Sequence, residues 1–205
     1  MDIEAKEESK SNKSINILED IGRKPLPGHL FGNCRSVSDF EKLHTLGEGT
    51  YGTVYCARDK VSKEIVALKK VKIQDENEGF PLTSLREIKI LEKLKRHLNV
   101  VKLKEVVVGF KKDSIFLVFE HSIIDIGCLI DQMRDHRDEM SVGEIKCLTL
   151  QLLNGVSYMH KKFIMHRDLK LSNLLIGSDG IMKIADFGLA RGFGNSFLLA
   201  LFLFN

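Results

Sequence analysis

Two carboxylates eighteen positions apart, Asp168 and Asp186, limit what this chain can fold into more than any other feature of it. The first lies in HRDLKLSN (residues 166–173), the second in the tripeptide DFG (residues 186–188). Between them, Ser178, Asp179 and Gly180 separate two short apolar segments, residues 174–176 and 181–184. A turn of that composition folds two strands back on each other, so Asn173 and Asp186 are expected to meet at neighbouring strand ends. Taken singly, each of these residues reads as structure, Asp168 as a turn residue for instance. Together they demand a fold that converges two loops on one point.

Upstream, the chain from Phe40 alternates with β-branched and aromatic residues, the signature of strands. Residues 43–46 lead into Gly47-Glu48-Gly49-Thr50-Tyr51-Gly52-Thr53-Val54, and Val54, Cys56 and Arg58 continue a second alternating strand. A bare G-x-G-x-x-G also opens dinucleotide-binding folds, but there the third glycine starts a helix. Here it starts a strand. Glycines in such a hairpin let backbone N–H groups approach anionic oxygens with no Cβ between them; an ordinary glycine-rich turn is the plainer reading. Ile65-Val66-Ala67-Leu68-Lys69 makes a third strand, ending in a lysine that alone would be a solvated charge. No G-x-x-x-x-G-K-[ST] string occurs, which rules against a Walker-type site.

Pro81 opens a helix to about Arg96, with Leu85, Ile88, Leu91 and Leu94 at three-residue intervals. Ser84 followed by Glu87 has the spacing of a capping box, so the plain structural reading of Glu87 is an N-terminal cap. Residues 100–109 and 115–120 complete five strands. After about Ser122 the patterns turn helical, at residues 125–137 and then 141–161. Ser141 and Glu144 form another capping box, and Ile145, Leu148, Leu152, Val156 and Met159 share one face, read as core. Residues 120–125 become a hinge between a strand-rich lobe and a helical one, with a ligand crevice behind it.

With 205 residues and 43% hydrophobic content, the chain can bury a core. Its 31 basic and 28 acidic residues, a net charge of +3, are too balanced to imply a nucleic-acid or membrane surface. Cys34, Cys56, Cys128 and Cys147 show no C-x-x-C pair and no histidine at zinc spacing, so reduced thiols in the nucleus or cytoplasm are expected. The opening MDIEAKEESKSNKS lacks the apolar stretch of a signal peptide, and no run reaches the ~20 apolar residues of a membrane helix. Residues 1–35 are rich in Glu, Lys, Ser and Asn, include Pro25 and Pro27, and carry only the apolar cluster Ile15, Ile17, Leu18 and Ile21. That is too little burial to offset ordering, so a disordered extension is expected.

HRDLKLSN and DFG, preceded in order by the glycine-rich hairpin, the V-A-L-K strand and a helix glutamate, resemble the signature set of the protein kinases. GEGTYG (residues 47–52) and PLTSLRE (residues 81–87) look like the cyclin-dependent kinases, where that helix is the cyclin-binding signature. CRSVSDFEKL (residues 34–43), KEVVVG (residues 104–109) and Leu171, where most of the family has proline, are similar to the subgroup of kinases ten and eleven, with ten favoured. The resemblance covers residues 34–191. It implies an α+β fold of two lobes: an N-lobe at residues 40–121 with a five-stranded antiparallel sheet and one helix, and a helical, incomplete C-lobe at residues 122–191 holding the catalytic loop and DFG.

The resemblance also implies a chemistry, transfer of the ATP γ-phosphoryl group with Mg2+ to a protein Ser/Thr hydroxyl, and a cyclin partner. Asp168 would accept the hydroxyl proton, Lys170 would offset charge on the γ-phosphate, and Asn173 and Asp186 would hold magnesium. Lys69 would contact the phosphates, held there by an ion pair to Glu87, a second role beside the cap. Gly47, Glu48, Gly49, Thr50, Tyr51, Gly52 and Thr53 would cover the nucleotide. Leu46, Val54, Ala67, Phe119, Leu175 and Ala185 would sandwich adenine, with Glu120 and Ser122 bonding it through their backbones and Asp125 near the ribose. Leu85 would face the cyclin. Thr50 and Tyr51 match inhibitory phosphorylation sites, where added charge repels the nucleotide, and Arg86 and Arg167 would grip a phosphothreonine of the activation loop.

That threonine does not follow. After Arg191 the sequence gives Gly192, Phe193, Gly194, Asn195, Ser196 and FLLALFLF before Asn205. Residues 192–205 therefore read as a divergent apolar tail, and the kinase pattern as truncated after DFG. Helix 141–161 is then expected to leave an apolar face exposed. A catalytically inactive cyclin- or ATP-binding fragment stands beside the enzyme as the alternative.

Overall fold

The computed structural model describes residues 34–49, 52–72, 80–109 and 114–193. The extension before residue 34, Thr50 and Tyr51, and the tail from residue 194 lie outside the described residues. The first lobe is a five-stranded antiparallel sheet in the order β1-β2-β3-β5-β4: β1 (Phe40–Gly49), β2 (Gly52–Asp59), β3 (Ile65–Lys70), β4 (Leu103–Val108) and β5 (Ile115–Glu120). Because side chains alternate across a strand, β5 sends Val118 to one face, against Phe40, Ala57, Val66, Leu68 and Val107, and Leu117 and Phe119 to the other. On that second face lies helix α1 (Leu82–Leu94), burying Ile90, Leu91 and Leu94. The same apolar cluster continues without a break into the second lobe through Met159, Ile164, Leu174, Met182, Ile184 and Phe187.

Helix α1 corrects one expectation. Its N-cap is Pro81, which makes no side-chain cap hydrogen bond, so Ser84 is already inside the first turn and forms no capping box with Glu87. The helix begins three residues earlier than the capping spacing suggested, and Glu87 turns inward, 4% exposed. A second correction concerns Arg35, placed by composition at the end of the extension. Its Nη1 lies 2.7 Å from Asp59 Oδ2 and 3.1 Å from Glu105 Oε1, its Nη2 3.0 Å from Asp59 Oδ1, and its guanidinium stacks on the Phe40 ring at 4.8 Å. The guanidinium hydrogen bond holds the Asp59 carboxyl well below the usual carboxylate range.

The second lobe comprises β6 (Ile124–Asp125), α2 (Ile126–His136), α3 (Val142–Lys161), β7 (Ile164–Met165), β8 (Leu174–Ile176), β9 (Met182–Ile184) and β10 (Arg191–Gly192). Strands β6, β8 and β9 form one small sheet and β7 and β10 another. The two-residue strands β6, β7 and β10 escaped the sequence pattern because two residues display no period. Asp125 caps α2 by accepting the Cys128 N–H at 2.9 Å. At the start of α3, Ser141 and Glu144 form the expected reciprocal box.

Of the apolar stripe of α3, Met159 is buried and Leu148, Leu152 and Val156 pack half-buried against the core; only Ile145, at its N-terminal end, falls outside it. Ile145 is exposed, as are Val142, Leu150 and Leu153, the last two at 62% and 57%. The exposed face expected from the truncated pattern is present. Among the described residues no helix is long and apolar enough to cross a membrane.

Among the described residues the backbone ties the lobes together at two places. One link is the chain itself between β5 and β6. The other is a parallel bridge in which Val101 N–H donates to Ile184 O at 2.9 Å and Ile184 N–H to Asn99 O at 3.0 Å. Asn99 Nδ2 donates to Met182 O at 2.9 Å and to Gln151 Oε1 at 3.1 Å, and that same Gln151 oxygen accepts the Met182 N–H at 2.8 Å. Gly155 of α3 lies directly beneath, where an added Cβ would sit 2.8 Å from Ile184 Cδ1 and 3.0 Å from Asn99 O.

Candidate active site

Lys69 stands near the end of β3, paired across the sheet with Val54 and Leu117. Its Nζ lies 2.8 Å from Glu87 Oε1 of α1 and 3.2 Å from Asp186 Oδ1 of the second lobe. Three elements distant in sequence thus converge on one ammonium. Burial works to lower its pKa, but the carboxylates of Glu87 and Asp186 more than offset this, and the group is held above its ordinary value. For Glu87 burial dominates and pushes the carboxyl upward, against the pull of Lys69. Two carboxylates facing one ammonium leave the cluster with a net negative charge, suited to a further cation.

Asp168 is fixed by its neighbours within the loop. Asn173 Nδ2 donates to the Asp168 carbonyl at 2.8 Å and to Oδ2 at 3.1 Å, while Lys170 Nζ lies 3.1 Å from the same Oδ2. The hydrogen bond from Lys170 is the main cause of an Asp168 pKa below the usual range. Asn173 also accepts the Ala185 N–H on its backbone oxygen at 2.9 Å, so the two loops meet as the turn at residues 178–180 required. Asp186 itself is left-handed, φ 61°, as are Arg167 at 70° and Phe163 at 56°. Non-glycine residues held at positive φ gather where the structure over-determines them, often at functional sites.

Sequence reasoning missed the support beneath these loops. His166, 1% exposed, directs Nε2 to Ala185 O at 2.9 Å and accepts the Asp168 N–H on Nδ1 at 3.3 Å. A nitrogen facing a carbonyl must carry the proton, so the ring is the neutral Nε2–H tautomer. Burial keeps it so by lowering its pKa. The ring also packs edge-on against Phe187 at 4.8 Å, which ties HRD to DFG. Glu120 is anchored by Lys183 Nζ at 2.7 Å and by the Lys102 N–H at 2.7 Å. No local pattern announces either contact, because the partners are 19 and 63 positions apart.

The other expected residues surround this centre. Ala67 is paired with Phe119 across the sheet, and Ala185 and Phe119 are buried. Leu46 is exposed; Leu175 lies on β8 beside Asp125 of β6. In the hairpin, Gly47 faces Val54, Glu48 faces Thr53 and Gly49 faces Gly52. Gly52 has φ 134°, and an added Cβ would strike the Lys70 carbonyl oxygen, so only glycine fits. Ser122 Oγ is buried with no hydrogen-bond partner among the described residues. Leu85 lies apart on the outer side of α1, exposed. Arg167 Nε donates to Leu189 O at 3.0 Å.

The donor set suits one class of divalent cation and not another. Among the described residues no group of three or more His, Cys, Asp or Glu side chains could hold a metal, which excludes a zinc-like cage. Magnesium instead takes one or two protein oxygens with the rest from phosphates and water. Because Asn173 Nδ2 is committed to Asp168, its Oδ1 is the carboxamide atom left to ligate. Asn173 Oδ1 and the Asp186 carboxylate are both hard oxygen donors, on loops joined by the Ala185 N–H to Asn173 O bond, and such donors fit the ion.

The pattern of the Protein kinase domain matches residues 40–200. The chain belongs to the protein kinase family. It is 53% identical over 168 residues to "Cyclin-dependent kinase 10" of Homo sapiens, covering 82% of this chain and 46% of that protein. To "Cyclin-dependent kinase 11" of Dictyostelium discoideum it is 51% identical over 165 residues, 80% of this chain and 45% of that one. Drosophila melanogaster "Serine/threonine-protein kinase PITSLRE" is 49% identical over 173 residues, 83% and 18% respectively. This chain spans less than half the length of these curated relatives. The two-lobed kinase fold expected from the motifs is therefore the fold found, with a partial second lobe.

Proposed function

We propose that this chain carries the catalytic centre of a cyclin-dependent serine/threonine kinase, moving the γ-phosphoryl group of ATP to a protein hydroxyl. The observation that carries the reading is the convergence of Glu87, Lys69 and Asp186 within 2.8 and 3.2 Å, from two lobes and three elements. Such transfer is positioning plus electrostatics. Lys69 supplies a fixed positive charge for phosphate oxygens, and Glu87 keeps it from swinging into solvent. Asp168, held as a carboxylate by Lys170, orients the substrate hydroxyl and takes its proton, while Lys170 offsets charge on the transferred group. Bound at Asn173 and Asp186, Mg2+ would neutralise charge developing on the phosphates. Adenine would lie between Val54, Ala67 and Leu46 on one side and Leu175 on the other, its edge on the backbone of Glu120 and Ser122. The helix carrying Leu85 offers its outer face to a cyclin, and the nucleus or cytoplasm is the proposed location, in keeping with four cysteines free of disulfides.

A second reading, an inactive nucleotide- or cyclin-binding fragment, is favoured by one observation, the uncovered apolar face of α3. A fluorescent ATP analogue and a panel of Ser/Thr peptides separate the two. Binding with transfer that disappears in Asp168→Asn supports the enzyme, and binding with no transfer to any peptide supports the fragment. Absence of nucleotide binding would defeat the enzyme and leave the fragment only its cyclin-binding form.

A further inference from the structure

Strand β9 ends its sheet, whose order is β6-β8-β9, and pairs with β8 along one edge only. A sheet edge presents a row of N–H and C=O groups in need of partners. Here the edge is closed without a further strand. Met182 N–H donates to Gln151 Oε1 at 2.8 Å, and Met182 O accepts from Asn99 Nδ2 at 2.9 Å. Ile184 N–H donates to Asn99 O at 3.0 Å, and Ile184 O accepts from Val101 N–H at 2.9 Å. Asn99 and Val101 supply three of these partners and a side chain of α3 the fourth.

That side chain does more than fill a place. The same Gln151 oxygen accepts from Asn99 Nδ2 at 3.1 Å, so it takes one N–H from β9 and one from the residue that grips β9 at two other points. Both partners are donors, which identifies the atom facing them as the carbonyl oxygen and uses both of its lone pairs. Gln151 Nε2 donates to Cys147 Sγ at 3.5 Å, one turn back along α3, a weak bond to a weak acceptor. What Gln151 contributes is therefore an acceptor. Asn99 is fixed in turn by its own N–H, which donates to His97 Nδ1 at 3.1 Å, and the His97 ring stacks on Tyr158 of α3 at 4.6 Å.

Asp186 stands two residues beyond Ile184. Between them Ala185 N–H is taken by Asn173 O at 2.9 Å, and Asp186, at φ 61°, places Oδ1 3.2 Å from Lys69 Nζ. Met182 and Ile184 are fully buried. A sideways shift of β9 has to emerge at Asp186, because the peptides in between are already hydrogen-bonded in place.

We infer that Gln151 is a positioning residue for Asp186: its single oxygen locks β9 to Asn99 and so sets where the Asp186 carboxylate stands. The inference rests on the reading of Asp186 as a holder of Mg2+ beside a nucleotide. Removing a group that orients a metal ligand typically costs about 10–100-fold in metal affinity.

The test measures binding of a fluorescent ATP analogue to the full chain with and without Mg2+, the readout being the ratio of the two affinities. Gln151→Leu removes the acceptor at similar volume, Gln151→Glu keeps an acceptor oxygen, and Asp186→Asn is the reference for a lost ligand. In Gln151→Leu the gain from Mg2+ is expected to fall by about tenfold or more, as in Asp186→Asn. Metal-free affinity stays within about twofold of the parent, and Gln151→Glu restores the gain. Amide exchange without nucleotide is the second measurement. Residues 182–186 are expected to exchange roughly tenfold faster in Gln151→Leu and at the parent rate in Gln151→Glu, with β1 to β3 unchanged in both. A Mg2+ gain unaltered in Gln151→Leu, an equal loss with and without the metal, exchange raised across β1 to β3 as well, or no rescue by Gln151→Glu would each overturn the inference and leave the proposed function standing. A parent chain that binds no analogue, or gains nothing from Mg2+, would overturn the reading of the site and the inference with it.

Discussion

Asn173 spends a single nitrogen on Asp168 twice, 2.8 Å from its carbonyl and 3.1 Å from its carboxylate Oδ2. One side chain thereby fixes both the loop and the carboxylate that the loop presents, and points its own oxygen elsewhere. On the proposed function, positioning of Asp168 and holding of the metal would fall to different atoms of one side chain.

Asp168→Asn removes the proposed proton acceptor while keeping the volume. Transfer is expected to fall by on the order of 10²–10⁴, with affinity for an ATP analogue within twofold of the parent chain. The pH dependence follows from Lys170. Its hydrogen bond lowers the Asp168 pKa, so Lys170→Ala lets that pKa rise and the acid limb of the transfer rate moves to higher pH. An acid limb unmoved in that variant would contradict the assignment.

Glu87→Gln tests the ammonium cluster. The carboxylate is buried against Lys69, and breaking a buried pair costs about 3–5 kcal/mol when a charge is left alone. Asp186 remains 3.2 Å from Lys69, so the loss expected in chemical denaturation is nearer the lower bound. Transfer should drop by on the order of 10² through misplacement of Lys69.

The burial that keeps His166 neutral has a thermodynamic signature. A histidine whose folded pKa is depressed binds more protons when unfolded, so stability rises with pH. Its contribution is full above the ordinary pKa of about 6.5 and is lost as pH falls from there toward the folded pKa. His166→Gln should flatten the stability curve below about pH 6.5, measured by urea titration at several pH values. His97 and His121, also lowered by burial, add slopes of the same sign and remain in the variant.

Gly155→Ala would gain about 1 kcal/mol of helix propensity. It would also press a methyl group against Asn99 O and Ile184 Cδ1, and overpacking costs about 1–3 kcal/mol. Because the carbonyl is backbone held in the lobe-joining bridge, a net destabilisation of about 1 kcal/mol is expected, read by thermal unfolding.

The strands and helices of more than two turns were legible because a period needs length to show: β1 to β5, α2 and α3 fall where alternation or stripes place them. The catalytic motifs were legible because their residues are local strings. What escaped was non-local. Arg35 belongs in composition to the extension and in space to Asp59 and Glu105, and His166 was passed over although it carries Ala185 O. Glu87 was legible in both roles, and the choice between them rested on Lys69, eighteen residues earlier and invisible to a helix pattern.

The second junction between the lobes, Val101 and Asn99 on Ile184, restricts how the molecule can breathe. Any opening of the crevice that parts Lys69 from Asp186 has therefore to deform this junction together with the chain between β5 and β6.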